Sequence, residues 1–421
     1  MKITNLERIA ATGELNNQFV GVKIANNKIE FHYPETYQLS DSDDELRRDI
    51  LSVLRTISLA KTLTSNLSSY NSKFNNNNDV FPIGAYLWII NDYLTYGRYE
   101  NREKTYQHGA RGKIDWRRTL RTSPAISNGN VIYTDIISEK KSQVDNLLTE
   151  IYFFCAKRSC EALGWLYGVA FEENGVDYER QFNKKLYLAT INTELSHTFD
   201  DVKKTRLQHM KNVITGLDDD VIQTREIVYG VDSYDYVYER MVDSMFSNIG
   251  NIKEFYPTAE WDLLVEDGPK ESSKLRPDTV LEQKLEDGKK NLYILDAKYY
   301  RYGTTFLTKH IPETTSIQKQ ITYGEYVKMM KPGVYEEIYS AFVMPYSKKT
   351  NIHRARFNKD IEFIGVARAK WIDAQGETNR NIAGILLDTN FLINNWVRKN
   401  QDNINEIIEI IEDNIQGELR D

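Results

Sequence analysis

Two aspartates and a lysine are placed where they could meet at one site. Asp296 and Lys298 directly follow the apolar run LYIL, and Asp278 precedes them in the segment SSKLRPDTVL. The sequence predicts two strands here, 275–281 and 292–300, joined by a polar turn that contains Asp-Gly, a signature of β-hairpins. Asp278 would then lie on the first strand, with Asp296 and Lys298 on the second.

These residue types suit one kind of chemistry. Asp296 and Lys298 are two positions apart and share one face of the strand, whereas Leu295 and Ala297 point the other way, into a core. Charged groups in such a position are unfavourable unless they are paired or bind a cation. Two carboxylates suit Mg²⁺, and a lysine can neutralise charge and orient a water. Together they provide the parts for metal-assisted hydrolysis of a phosphodiester.

The bare pattern Asp/Glu-x-Lys has little specificity, so its context matters. It also occurs where no comparable apolar run precedes it, at Glu139–Lys141, Asp201–Lys203, Glu282–Lys284 and Asp287–Lys289. The alternative interpretation of Asp296–Lys298 is a strand that ends in a surface salt bridge. A third carboxylate favours the catalytic interpretation. Glu239 lies in the predicted helix 234–246, YDYVYERMVDSMF, and could face the same site.

This arrangement resembles the PD-(D/E)xK nuclease superfamily. The matching motifs are RPD and LDAK, with 17 residues between Asp278 and Asp296, and a preceding helix that contains VYE. The predicted order of helix, three strands, helix and strand is similar to the core of that superfamily. The resemblance implies an α/β nuclease domain with a mixed sheet. It also implies that Asp278 and Asp296 bind Mg²⁺, that Lys298 positions the attacking water, and that Glu239 is an accessory acid.

Two further segments resemble LlaJI-type restriction endonucleases and McrC-like subunits. His108–Leu120, HGARGKIDWRRTL, is similar to their GxIDWxxT-type block. Ser316–Tyr326, SIQKQITYGEY, is similar to the Gln/Tyr helix of such nucleases, with Gln320 three residues before Tyr323. The resemblance implies that Gln320 is a site residue and that the chain cuts double-stranded DNA in a restriction system. It also implies an McrB-like AAA+ GTPase as partner. The sequence has no GxxxxGK[ST] phosphate loop, so any nucleotide hydrolysis must come from another chain.

A short basic segment has three possible roles. The chain has a net charge of −7, yet basic residues crowd one stretch, at Arg111, Lys113, Arg117, Arg118 and Arg121. They could contact DNA phosphates beside Trp116, or they could meet the partner GTPase. They could also form structural ion pairs with Asp115. The sequence leaves these three interpretations open.

The surrounding elements predict two regions. Residues 1–215 read as a mainly helical, DNA- or partner-contacting region, with helices at 46–63, 81–96, 143–167 and 184–213. Residues 216–421 read as the nuclease domain, with strands at 261–265, 275–281, 292–300, 338–344 and 361–369 and a helix at 316–329. An amphipathic helix closes the chain, with isoleucines on one face and acids on its solvated face.

Composition limits the class and the compartment. The chain is 41% hydrophobic and 27% charged, as in soluble globular proteins. The longest apolar stretch is far shorter than a membrane span, and the N-terminus is too polar for a secretory signal. Cys155 and Cys160 do not share a helical face, so neither a disulfide nor a zinc site is expected. We therefore expect a cytoplasmic protein that does not contact a membrane.

Two rival functions fit the same residues. One is a stand-alone RecB-like DNA repair nuclease. The other is a non-catalytic adaptor that binds a motor subunit and DNA. The presence of Asp278, Asp296 and Lys298 together argues against the adaptor.

Overall fold

The structure, a computed structural model, divides the chain into two compact units. It describes residues 5–13, 17–25, 28–64, 81–97, 101–109, 112–123, 125–127, 131–144, 147–171, 182–217, 227–265, 268, 270–272, 274–373 and 376–420. The middle unit contains Met1–Ile3 and Asp79–Arg225, and the terminal unit contains Thr4–Asn78 and Glu226–Asp421. The N-terminal segment Thr4–Asn78 therefore belongs with the C-terminal half of the chain.

Three N-terminal strands explain this pairing of distant segments. They are β1 (Leu6–Ala11), β2 (Val20–Ala25) and β3 (Lys28–Pro34), and β3 is parallel to β1 and antiparallel to β2. The other edge of β2 pairs with a strand far along the chain, Ile227–Val231. Gly21 faces Gly230 in that pair, and a Cβ on Gly21 would lie 2.1 Å from the carbonyl oxygen of Tyr229. The two backbones approach this closely because neither glycine has a side chain.

The first helix is amphipathic. Helix α1 (Asp43–Thr64) begins with three acidic residues, which interact favourably with the positive end of the helix dipole. Ser42 accepts a hydrogen bond from the backbone N–H of Glu45 at 3.3 Å. Its apolar stripe is buried, at Leu46, Ile50, Val53, Leu54 and Ile57.

The middle unit combines a small sheet with a group of helices. Its elements are α2 (Ile83–Tyr96), β4 (Asn101–His108), β5 (Lys113–Ile114), α3 (Trp116–Thr122), β6 (Ala125–Ser127), β7 (Val131–Tyr133), β8 (Ile137–Val144), α4 (Leu147–Leu163), α5 (Lys184–His197) and α6 (Asp201–Thr215). The strands β4, β8 and β5 form one antiparallel sheet, and β6 pairs with β7.

A buried ion pair connects three of these helices. The carboxylate of Asp92 accepts two hydrogen bonds of 2.8 Å from the guanidinium of Arg206, and a third of 2.9 Å from the hydroxyl of Tyr152. Asp92 is buried, and these donors compensate the cost of removing its charge from water. The pair therefore fixes α2, α4 and α6 to one another.

A five-stranded mixed sheet forms the centre of the terminal unit. The elements of its second segment are β9 (Ile227–Val231), α7 (Tyr234–Phe246), β10 (Glu260–Trp261), β11 (Lys270–Glu271), β12 (Thr279–Lys284), β13 (Lys290–Ala297), α8 (Tyr302–Thr305), α9 (Thr314–Met330), β14 (Ile338–Tyr346), β15 (Ile361–Ala367), β16 (Ile382–Asp388), α10 (Thr389–Asn395) and α11 (Gln401–Arg420). The strand order is β12-β13-β14-β16-β15. β13, β14 and β16 are parallel, and the edge strands β12 and β15 are antiparallel to their neighbours.

Helices cover both faces of this sheet because β13 is apolar on both sides. Leu292 and Ile294 pack with Tyr323 and Val327 of α9 in one core cluster. On the opposite face, the hydroxyl of Tyr293 donates a 2.6 Å hydrogen bond to Glu412 of α11. The acids of the last helix were expected to lie on its solvated face, but Glu412 contacts the sheet.

The structure corrects two secondary-structure predictions for the N-terminal half. The described part of the region before residue 215 has more residues in helices than in strands, but it also includes strands β1 to β8, which were not predicted. β4 (NREKTYQH) is polar throughout, so it shows no apolar alternation from which a strand could be predicted. The single helix predicted at 184–213 is two helices, because the side chain of Asp200 caps a new helix by accepting from the backbone N–H of Lys203. No helix within the described residues is long and apolar enough to cross a membrane.

Candidate active site

A tight hairpin sets the register of the two strands that carry the acidic residues. β12 and β13 are joined by a turn in which Gly288 has φ of 85°, a conformation that favours glycine. The backbone N–H of Leu285 donates to the carbonyl of Lys289 at 2.9 Å. Thr279 pairs with Leu295 in the antiparallel ladder, so the next position in the same register places Asp278 opposite Asp296. Directly opposed residues on neighbouring strands have side chains on the same face.

The structure brings Asp278, Asp296 and Lys298 together. The ammonium Nζ of Lys298 lies 2.5 Å from Oδ2 of Asp296. Oδ2 of Asp278 accepts a 2.9 Å hydrogen bond from the backbone N–H of Ala297. Asp278 and Lys298 lie just outside the strands, next to Thr279 and Ala297 respectively, where an otherwise apolar pair of strands ends.

One carboxylate oxygen at this site has no hydrogen-bond donor. Asp296 is 1% exposed, and its Oδ1 is buried and receives no hydrogen bond. A buried polar atom without a partner is unfavourable by about 1–3 kcal/mol, so such an atom calls for an explanation. A cation between the two aspartates would supply what Oδ1 lacks.

Electrostatics at the site reflect an excess of negative charge. Burial raises the pKa of Asp278 well above its usual range, and the carboxylates of Asp296 and Glu239 raise it further, against the opposing effect of Lys298. Burial alone would lower the pKa of Lys298, but the adjacent Asp296 and the nearby Asp278 raise it above its usual value. Lys298 is therefore held as a cation, while the carboxyl groups repel one another.

Glu239 faces this group from α7. It is half-buried and lines a cleft of about 320 Å³ together with Lys298 and Asp235. Asp235 and Glu239 are four residues apart, so they lie on one face of the helix. The sequence pointed to Glu239 but not to Asp235, although the same helical spacing could have identified both.

The N-terminal segment forms another wall of the cleft. Ala11, Gly13 and Gln18, from the region of β1 and β2, line it opposite residues that follow β13. Arg301 donates two hydrogen bonds, of 2.9 and 2.8 Å, to the carboxylate of Glu35 just beyond β3. The sequence predicted no role at the site for the first hundred residues. Their position beside the cleft depends on the pairing of β2 with the distant strand β9.

The α9 helix contacts the strands that carry the acidic residues through Gln320 and Tyr323. The buried side-chain amide of Gln320 donates to the carbonyl of Ile294 at 2.6 Å, so Gln320 contacts the backbone of β13 rather than the carboxylates. The hydroxyl of Tyr323 donates to the carbonyl of Arg276 at 2.7 Å and thereby holds the segment that leads to Asp278. Asp296 and Asp278 both raise the pKa of Tyr323, after burial, which places its ring near them.

The predicted basic residues lie in the middle unit and have different surroundings. Arg118 stacks over the ring of Tyr106, with 3.5 Å from its guanidinium carbon to the ring centroid, and lies 3.5 Å from a carboxylate oxygen of Asp115. Lys113, Arg117 and Arg121 are exposed, whereas Arg111 lies outside the described residues. The structural ion pair with Asp115 therefore accounts for Arg118 but not for its neighbours.

The residues present fit a hard divalent cation of the Mg²⁺ type. In the part of the chain that the structure describes, no three His, Cys, Asp or Glu side chains are arranged to hold a metal by themselves. Asp278 and Asp296 would supply two protein ligands, with water or phosphate oxygens completing the set. Mg²⁺ is commonly bound in this way, through one or two carboxylates and several waters.

Comparison with known families supports a nuclease. The family model described as LlaJI restriction endonuclease matches residues 19–377, which is most of the chain. The chain belongs to the LlaJI restriction endonuclease family. Asp278, Asp296 and Lys298 all lie inside the matched range of this LlaJI-family chain. A comparison with curated protein sequences gives no significant match.

Two solved structures show a distant similarity to the LlaJI-family chain. One is a refined half-complex from a tetradecameric assembly of Thermococcus gammatolerans McrB AAA+ hexamers with bound McrC. That match has 14% identity and a TM-score of 0.36, and it covers 92% of this chain and 83% of the other. The second is a cryo-EM structure of the Thermococcus gammatolerans McrBC complex, with 13% identity, coverage of 52% and 63%, and a TM-score of 0.21. The family assignment rests on the sequence model and not on these matches.

Proposed function

We propose that this chain is a Mg²⁺-dependent DNA endonuclease subunit of a restriction system, built on a PD-(D/E)xK core. The observation that carries the proposal is the Asp278–Asp296–Lys298 group, in which the buried Oδ1 of Asp296 has no donor. Burying two carboxylates beside one lysine is costly for folding alone. A bound divalent cation would offset this cost. The family to which the chain belongs indicates that the reaction is that of a nuclease.

Each residue has a distinct role in this mechanism. Asp278 and Asp296 hold the cation, which, when bound, would stabilise charge on the scissile phosphate. Lys298, kept protonated by Asp296, orients the attacking water and neutralises charge that develops on the phosphate. Glu239 lies near enough to Asp278 to raise its pKa, and it acts as an accessory acid. Gln320 contributes indirectly, by holding the backbone of β13.

The test of this proposal is DNA cleavage by single-residue variants. Asp296→Asn and Lys298→Ala should abolish cleavage of double-stranded DNA while the protein remains folded. Asp287→Asn is a matched control, because Asp287–Lys289 has the same spacing but lies in the exposed hairpin turn. Cleavage by both site variants at near-normal rates would place the active site elsewhere.

We also propose that the chain acts with an McrB-like AAA+ GTPase. The sequence lacks a phosphate-binding loop, so nucleotide-driven movement on DNA needs another subunit. The isolated chain should bind neither GTP nor ATP tightly, and cleavage should rise when the motor and GTP are added. Tight nucleotide binding by the isolated chain would contradict the proposal that another subunit binds and hydrolyses the nucleotide.

For the basic segment, we propose a contact with DNA. The exposed Arg117 and Arg121 are four residues apart on α3, so they lie on one side of the helix near the exposed Trp116. Guanidinium groups match phosphate oxygens well. If they instead contact the motor, neutralising them would leave DNA affinity unchanged and reduce stimulation of GTP hydrolysis.

A further inference from the structure

The connection between β14 and β15, residues 347–360, is a basic loop in the terminal unit. It contains five basic residues, and its one acidic residue is Asp360. The basic residues are Lys348, Lys349, Arg354, Arg356 and Lys359. Every residue of this loop lies within the described part of the chain. Because the chain as a whole has a net charge of −7, such a local excess of positive charge indicates a surface for a polyanion.

A buried asparagine holds the basic loop in one shape. The side-chain amide of Asn351 donates to the carbonyls of Ser347 at 2.8 Å and of Phe357 at 2.9 Å, so it joins the two ends of the loop. The side-chain oxygen of Asn351 accepts a 2.9 Å hydrogen bond from the backbone N–H of His353. Phe357 is buried in a core cluster with Met344 of β14. The backbone of the loop is therefore ordered before a ligand binds, which lowers the entropic cost of binding.

The basic loop begins at the edge of the sheet that carries the candidate active site. Phe342 of β14 pairs with Asp296 in the parallel ladder, so the two residues lie at the same level and on the same face. Met344 and Tyr346, two and four residues further along β14, have the same orientation because side chains alternate along a strand. At roughly 3.3 Å per residue, the loop begins about 13 Å beyond the level of Asp296.

Aromatic contacts join the basic loop to the segment that follows Lys298. The ring of Phe306, in this segment, stacks on that of Phe357 with the ring centroids 5.5 Å apart. The ring of Phe306 also meets that of His353 edge-on, with 4.8 Å between the centroids. The loop is thereby fixed to the segment that leads away from the candidate active site.

The cations of the basic loop differ in their surroundings. Nζ of Lys348 lies 2.5 Å from a carboxylate oxygen of Asp360, and Lys359 lies within electrostatic range of Glu406. The other three cations are exposed, and no carboxylate of the described residues pairs with them. They are Lys349, Arg354 and Arg356. The guanidinium carbon of Arg356 lies 5.4 Å from the ring centroid of Phe357, a contact that leaves its charge unneutralised.

We propose that the basic loop binds the phosphate backbone of double-stranded DNA on one flank of the cleavage site, through Lys349, Arg354 and Arg356. One strand of a duplex has a phosphate about every 3.4 Å along the axis, so the roughly 13 Å from Asp296 to the loop correspond to about four base pairs. The inference rests on the proposed nuclease function, since it takes the duplex cut at Asp296 as the one that the loop contacts. Contacts to phosphates position the duplex without reading its base sequence.

The test is duplex affinity and its salt dependence, measured by fluorescence anisotropy with the full chain and a labelled duplex in EDTA. The double variant Lys349→Gln, Arg354→Gln should bind about tenfold or more weakly at low salt, and its salt slope should fall by about 1.8, or 0.9 per lost contact. The matched control is Lys284→Gln, Lys289→Gln, which removes the same charge from exposed positions at the hairpin turn and should bind like the wild type. Lys349→Arg with Arg354→Lys keeps both charges and should retain the wild-type slope.

The outcomes distinguish the basic loop from the active site. Wild-type affinity and salt slope in the Lys349→Gln, Arg354→Gln variant would overturn the inference. An equal loss of affinity in the hairpin control would also overturn it, because overall charge would then explain the effect. If the loop variant binds DNA normally while Asp296→Asn abolishes cleavage, only the inference about the loop is wrong. If Asp296→Asn cleaves normally, the proposed function itself fails.

Discussion

Two pairs with the spacing Asp-x-Lys lie on the same hairpin and have opposite surroundings. In Asp287–Lys289, at the turn, the side chains are more than half exposed and their charged atoms are 3.8 Å apart. In Asp296–Lys298, at the other end of β13, the side chains are 2% and 16% exposed and the atoms are 2.5 Å apart. An exposed pair contributes little to stability, whereas a buried pair must offset the cost of desolvation. Burial therefore distinguishes the candidate active site from an ordinary ion pair.

The arginines of the basic segment in the middle unit also differ in their surroundings. Arg118 is held by Tyr106 and Asp115, so its charge already has local partners. Arg117 and Arg121 extend into solvent, where they are available to a ligand. Sequence spacing alone does not distinguish these three arginines, whereas their contacts in the structure do.

The largest expected effect is on catalysis at the two Asp-x-Lys pairs. Asp296→Asn should lower the single-turnover cleavage rate by roughly a thousandfold or more, because losing a metal ligand removes several kcal/mol of transition-state stabilisation. Asp287→Asn should cleave at the wild-type rate. Equal rates in the two variants would remove the distinction between the buried and the exposed pair.

The second prediction concerns stabilisation by Mg²⁺. A cation that binds only the folded chain stabilises it by about 2.7 kcal/mol at a hundred times its dissociation constant. The melting temperature of the wild type and of Asp287→Asn should therefore rise with Mg²⁺, and that of Asp296→Asn should hardly change. An equal rise in all three proteins would place Mg²⁺ binding outside the site.

The third prediction concerns pH and stability without metal. Burial and neighbouring carboxylates raise the pKa of Asp278 in the folded protein. The unfolded chain therefore loses this proton first, and stability falls as pH rises from the ordinary aspartate range, near 4, toward the folded value. Asp278→Asn removes this loss and should be more stable than the wild type near neutral pH. Urea unfolding in EDTA across this pH range would measure it, and a less stable variant would contradict it.

The smallest predicted effects separate the arginines of α3. Arg118→Ala should lower the free energy of unfolding by about 1 kcal/mol, through loss of its contacts with Tyr106 and Asp115. Arg117→Ala with Arg121→Ala should leave stability unchanged and reduce the salt slope of duplex binding by about 1.8, or 0.9 per lost contact. If the Arg117→Ala, Arg121→Ala variant instead loses stability and keeps the wild-type salt slope, Arg117 and Arg121 are structural residues.

The sequence predicted the hairpin well because its signals are local. The Asp-Gly turn and the apolar run before Asp296 fix the register, and that register places Asp278 opposite Asp296. The helix of Glu239 was predicted with its observed bounds, Tyr234–Phe246.

The parts that could not be predicted depend on distant or polar contacts. β2 pairs with β9, which lies far along the chain. No local sequence pattern therefore predicts that the N-terminal segment lines the cleft. The polar strand β4 lacks apolar alternation. Glu412 appeared to be one of several solvent-facing acids, yet it accepts hydrogen bonds from Tyr293 and Asn291 on the sheet. In these cases the structure of a segment depends on the distant residues that it contacts, and not on its own sequence pattern.

The most direct test of the central claim is the position of the metal ion. Crystals of the full chain grown with Mn²⁺ in place of Mg²⁺ would locate the ion by its anomalous scattering. We predict one peak between Asp278 and Asp296, with Oδ1 of Asp296 as a ligand and distances close to the roughly 2.1 Å of Mg²⁺ sites. The Asp296→Asn variant should lose this peak. A peak elsewhere in the chain, or none at these carboxylates at saturating Mn²⁺, would contradict the assignment.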